Sequence, residues 1–227
     1  MMRLTLRACC LVVLLLAASA NLSANSFKVQ LNNGGSNVMG GVYVGPYNFT
    51  ATIGGKPVGM QLICDDAMDD VYAGETWSVV TSKFPTLSNV KWPGQMQKYE
   101  EIGWLVEQMN SPKNHGNSQA VGDIQWAIWD IFASGISSHD PFGSMNAQNQ
   151  ANIANWLSLA QHNYASGNYS NLVIYTPVSG SQRPLGDGPP QEYFGYTPPT
   201  PTPEPASLMM IGTGMLGLAA LRRRFSR

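Results

Sequence analysis

Two stretches, Tyr47-Asn48-Phe49-Thr50-Ala51-Thr52-Ile53 and Val58-Gly59-Met60-Gln61-Leu62-Ile63-Cys64, flank Gly54-Gly55. The first alternates aromatic or β-branched residues with polar ones, the pattern of a half-buried strand. The paired glycines supply the positive φ angles that a two-residue hairpin turn requires, so the second stretch returns as its antiparallel partner. With a period of two, Met60, Leu62 and Cys64 share one face, and the sulfur of Cys64 points where apolar side chains point. Asp65, Asp66, Asp69 and Asp70 follow at once. They lack the spacing, the central glycine and the closing glutamate of an EF-hand, so they are expected to end the strand and face water, and no metal is assigned.

Outward from this hairpin, Phe27 to Thr81 reads as short strands punctuated by Gly, Pro and Asn, with Thr76–Thr81 as one of them. The period then changes. Over Gln95–Asn110, Tyr99, Ile102, Val106 and Met109 form a helical stripe, with Lys98, Glu101 and Glu107 mostly off it. A second helix is expected at about Gln119–Ser134, with Asn117 or Ser118 as its N-cap. On its apolar face Val121, Ile124, Ile128 and Phe132 surround Gln125, a carboxamide that needs partners if buried. A third helix is expected over Asn146–Ser166 and a last strand over Asn171–Thr176. Strands, helices and a final strand make an α+β domain: a β-rich sheet or small barrel with a helical layer.

The two ends are of another kind. Residues 1–24 combine Arg3 and Arg7 with an apolar run from Ala8 to Ala18 and small residues at Ala18-Ser19-Ala20 and Leu22-Ser23-Ala24, the pattern of a secretory signal peptide. Residues 25–176 form the folded body, and residues 177–202 are rich in Pro, Gly, Ser and Thr and are expected to be an extended linker. Residues 203–227 hold Pro203-Glu204-Pro205, an apolar run from Leu208 to Leu221, and Arg222-Arg223-Arg224. As a helix that run spans about 21 Å against a hydrocarbon core of about 30 Å, and the arginines after it fit a cytoplasmic end. Six of the 13 basic residues lie in these two ends, against Glu204 alone of the 14 acidic ones, so the body is strongly acidic. So acidic a surface argues against nucleic-acid binding. Cys9 and Cys10 fall in the leader, so Cys64 is the one thiol of the mature chain and an internal disulfide is excluded.

The tail resembles the PEP-CTERM sorting signal, whose parts (Pro203-Glu204-Pro205, short apolar helix, Arg222-Arg223-Arg224) occur here in order behind a signal peptide. That resemblance implies processing by an integral-membrane exosortase, transient anchoring in the inner membrane through the apolar segment, and delivery to the cell surface or extracellular matrix. The body resembles the Cys-Gln thioester-domain proteins of bacterial surfaces through Ile63-Cys64-Asp65-Asp66, Tyr99-Glu100-Glu101-Ile102-Gly103-Trp104-Leu105 and Ile124-Gln125-Trp126-Ala127-Ile128-Trp129. It implies a thioester-domain-like fold and a bond between the side chains of Cys64 and Gln125 for covalent attachment to an unknown surface or matrix partner. Such attachment happens once per molecule, so no enzyme activity, catalytic residue or cofactor is expected. Two readings compete. One is a non-covalent structural or carbohydrate-binding matrix protein using an exposed face of Trp126, Trp129 and Trp156; the other is a hydrolase pairing Cys64 with His115, His139 or His162.

Overall fold

The hairpin around Gly54-Gly55 forms as its pattern dictates. In the computed structural model, which describes residues 26–139, 145–183, 185–186 and 188–197, β4 (Tyr47–Ile53) and β5 (Lys56–Cys64) pair in register from Tyr47 opposite Leu62 to Ile53 opposite Lys56. Gly54 and Gly55 turn the chain with φ of 58° and 78°, the mirror-image turn that matches strand twist. The neighbours are β1 (Phe27–Asn33), β6 (Thr76–Lys83), β7 (Leu172–Pro177) and β8 (Tyr193–Tyr196). Together they make a closed barrel in the order β1-β4-β5-β8-β7-β6. A separate hairpin, β2 (Val38–Met39) and β3 (Val42–Tyr43), stands beside it.

Alternation along the strands separates two cores. Inside the barrel Phe49 meets Tyr193 edge to face at 4.9 Å and Trp77 at 5.9 Å, with Val29, Leu31, Ala51, Leu62 and Val79 buried around them. On the outer face, Ile63 and Phe194 sit opposite one another in the β5–β8 register. Phe194 stacks against Tyr99 of α1 (Met96–Met109), 6.1 Å between ring centroids. The helical layer is completed by α2 (Ser118–Phe132) and α3 (Ala147–Asn163). Asn117 caps α2 by accepting from the Ala120 N–H at 3.2 Å, and Asn146 caps α3 through the Asn149 N–H at 2.9 Å. Tyr99, Ile102, Val106 and Met109 are buried as their spacing requires. Glu101 departs from expectation: it is buried too, and accepts a bond from the Gln97 side chain at 2.9 Å.

The expected linker differs in one respect that matters for the whole barrel. Residues 193–196, inside the segment 177–202 expected to be an extended linker, form β8, the strand that joins β5 to β7 and closes the sheet. Prolines at 189, 190, 198 and 199 set the composition of that segment, while the four residues Tyr193-Phe194-Gly195-Tyr196 between them carry aromatic side chains to both faces. Among the described residues no helix is long and apolar enough to cross a membrane. Residues 1–24, expected to be a signal peptide, and residues 203–227, with the apolar run Leu208–Leu221, lie outside the described residues.

Candidate functional site

Cys64 ends β5 directly opposite Tyr193 of β8, and its side chain is wholly buried. The thiol donates to the Asp66 carbonyl at 3.1 Å and accepts from the Asp66 N–H at 3.4 Å. Burial pushes its ionisation well up, and the charges of Asp66 and Asp65 add to that push, while the Asp66 backbone and the Trp129 indole act the other way. Tyr47 and Tyr193 are buried near the sulfur, their phenols held by the Tyr43 carbonyl at 2.7 Å and the Gln191 side-chain oxygen at 2.8 Å.

Gln125 meets this strand end from α2. Nearly all of α2 is buried, because α1 and α3 flank it and the β2–β3 hairpin lies across it, with the Trp126 indole donating to the Met39 carbonyl at 3.3 Å. The Gln125 carboxamide is wholly buried and bonded at both ends. Its Nε2 donates to the Cys64 carbonyl at 2.6 Å, and its Oε1 accepts from the Gly45 N–H at 3.2 Å. A Cβ at position 45 would stand 2.8 Å from that Oε1, so only glycine allows so close an approach. The structure therefore brings together the two residues singled out in the sequence, 61 positions apart, and adds Gly45, which nothing in its local pattern marked.

The acidic residues differ from expectation. Asp65 and Asp66 are wholly buried instead of facing water. Asp66 forms an ion pair with Lys91 at 2.5 Å, and Lys91 also reaches Asp69. Asp65 faces Glu192, a second buried carboxyl group just before β8. Gln191 ties the same loop down by donating to the Asp66 carbonyl at 2.8 Å and to the Asp69 carbonyl. These contacts invert the usual solvation of an acidic run: Lys91 supplies the counter-charge, and Gln191 and Glu192, more than 120 residues away and just before the closing strand, cover the loop. Among the described residues, no group of three or more His, Cys, Asp or Glu side chains is placed to hold a metal ion.

His115 and His162 are exposed while Cys64 is wholly buried, so neither forms a nucleophile pair with it; the side chain of His139 is outside the described residues. Trp126 and Trp129 are buried and Trp156 half-buried, so no exposed tryptophan face exists on these helices. Trp126 and Trp129 line a cleft of about 510 Å³ between the β2–β3 hairpin and the loop around residues 67–73. Tyr43 and Tyr72, 57% and 52% exposed, stand at its rim.

The profile described as the PEP-CTERM protein-sorting motif matches residues 201–224. The chain thus carries the sorting signal of an exosortase substrate, which implies export to the cell surface or the extracellular space. No curated protein matches the chain.

Proposed function

We propose that this exosortase-sorted protein acts at the cell surface or in the extracellular matrix, and that its body attaches covalently to a partner through an internal thioester between Cys64 and Gln125. The observation that carries the reading is the contact of two wholly buried residues, the Gln125 Nε2 lying 2.6 Å from the Cys64 carbonyl. In the first step the sulfur attacks the Gln125 side-chain carbonyl carbon, a C–S bond forms, the C–N bond breaks, and the thiol proton leaves with the nitrogen as ammonia. The Gly45 N–H, already 3.2 Å from Oε1, stabilises the negative charge that builds on that oxygen. Burial keeps water away from the bond until a partner amine or hydroxyl takes the acyl group and returns the proton to sulfur. The protein is consumed in that step, so it is an attachment device and not an enzyme. Exosortase and, through the apolar tail, the inner membrane are its partners during export.

The raised thiol ionisation sets the pH dependence. The reactive thiolate is scarce at neutral pH, so bond formation accelerates as pH rises toward the thiol's shifted value. The test is the intact mass of the exported protein, of its Cys64→Ala variant, and of both after methylamine treatment. A deficit of one ammonia that needs Cys64 and is replaced by a methylamine adduct supports the reading. Unmodified mass with a titratable thiol in fresh protein removes it, leaving a non-covalent matrix protein whose tyrosine-rimmed cleft would be the surface to probe with oligosaccharides.

A further inference from the structure

Asp65 is wholly buried, and neither oxygen of its side chain meets a hydrogen-bond donor. Glu192 beside it is equally buried but richly supplied. Its Oε1 accepts from the Tyr99 hydroxyl at 2.7 Å, and its Oε2 accepts from the Lys91 N–H at 2.9 Å and from the Thr176 hydroxyl. The backbones also touch, the Asp65 N–H donating to the Glu192 carbonyl at 3.4 Å. Two acceptor-only carboxylates cannot face one another in a dry interior, whereas a carboxylic acid facing a carboxylate makes a strong, charge-assisted hydrogen bond. The pattern of donors decides which is which: Glu192 is solvated as an anion is, and Asp65 is not.

We propose that Asp65 and Glu192 share one proton, Asp65 as the acid donating to the Glu192 carboxylate, and that this pair is the clasp that positions β8 over the Cys64 side chain. Asp65 directly follows Cys64, and Glu192 directly precedes Tyr193, the residue paired with Cys64. The β5–β8 ladder contains just two register pairs, Ile63 with Phe194 and Cys64 with Tyr193, so the clasp sits at the end of the shortest seam in the barrel.

The other groups around the pair are Cys64 and Asp66 from the end of β5, Tyr99 from α1, Thr176 from β7 and Tyr193 from β8. The Lys91 ammonium is engaged by Asp66 and Asp69 and gives Asp65 no hydrogen bond. Burial first, then the charges of Glu192 and Asp66, hold the Asp65 carboxyl well above the usual range. A folded value above the unfolded one means that the stabilisation is complete below the ordinary carboxylate range of about 4 and is lost as pH rises through the folded value.

This positioning role does not require the thioester, and its test reads β8 directly. Hydrogen exchange of the Tyr193–Tyr196 amides, corrected for intrinsic rates, is followed from pH 5 to pH 9 in the full exported protein and in Asp65→Asn, whose carboxamide donates the same hydrogen bond without a titratable proton. The expected result is slower exchange in Asp65→Asn at high pH by about tenfold or more, one pKa unit of differential protonation, with the difference closing toward pH 5. Equal or faster exchange in the variant at high pH, or a difference that does not vary with pH, overturns the proposal. Infrared spectra of wild-type protein labelled at aspartate give a second reading that is safe against a folding defect. A protonated-carboxyl C=O band at neutral pH supports the shared proton, and its absence overturns it.

Discussion

Strands β5 and β8 meet at Cys64 and Tyr193, yet they hold their places by different means. β5 has nine residues, a tight glycine turn and a full-length partner in β4. β8 has four residues, prolines on both sides and only two register pairs with β5. What β8 lacks in ladder length it gains from the residues just before it. Gln191 holds the Asp66 and Asp69 carbonyls, and Glu192 collects bonds from α1, β7 and the Lys91 backbone. A long strand is secured by its own hydrogen-bond ladder and hydrophobic pattern, whereas a short closing strand is secured by buried polar anchors at its entrance.

The largest effect separates a barrel strand from a spacer outright. Ending the chain after Thr197 should leave a cooperatively unfolding domain, whereas ending it after Pro190 should abolish the cooperative thermal transition, because β5 and β7 are left with open edges and the inner core loses Tyr193. Equal melting of the two chains would show that β8 is dispensable.

Next comes the anchor itself. Glu192→Ala leaves the Tyr99 hydroxyl, the Thr176 hydroxyl and the Lys91 N–H without their acceptor. At about 1–3 kcal/mol per buried donor, a loss of at least ~3 kcal/mol is expected in urea unfolding. A loss below 1 kcal/mol would mean that ladder and packing alone hold β8.

On the β5 side, Gln125→Ala removes the tie between α2, the Cys64 carbonyl and the Gly45 N–H, with an expected cost of about 2 kcal/mol by the same measurement. Because β4 still holds β5, this loss should be smaller than that at Glu192; the reverse order would make the carboxamide the principal clamp of the seam. Smallest of all, Asn117→Ala removes the cap of α2 and should cost about 1 kcal/mol.

The legible parts of the fold are those whose signal is local. The β4–β5 hairpin follows from alternation plus Gly54-Gly55, and α1 from the stripe Tyr99, Ile102, Val106 and Met109. The burial of Gln125 followed from its place on an apolar helix face, and that of Cys64 from strand parity. Asp65, Asp66 and Glu101 depart from expectation because an acidic side chain carries no local sign of the tertiary neighbours that will bury it. A helical wheel does not show what covers the tryptophans of α2, and it is the β2–β3 hairpin that lies across the helix.

By itself, then, the sequence determined the α+β order of elements, the burial of Cys64 and Gln125, and the sorting motif at its end, since each is written in spacing or in a contiguous run of residues. Only the tertiary structure decided that the sheet closes, that β8 is the closing strand, and that Gly45, Lys91 and Glu192 complete the site around Cys64. Those features depend on contacts between segments far apart in the chain, as from Gln191 to Asp66 across 125 residues, and no periodicity encodes which distant backbone or charge a side chain will meet once the barrel shuts.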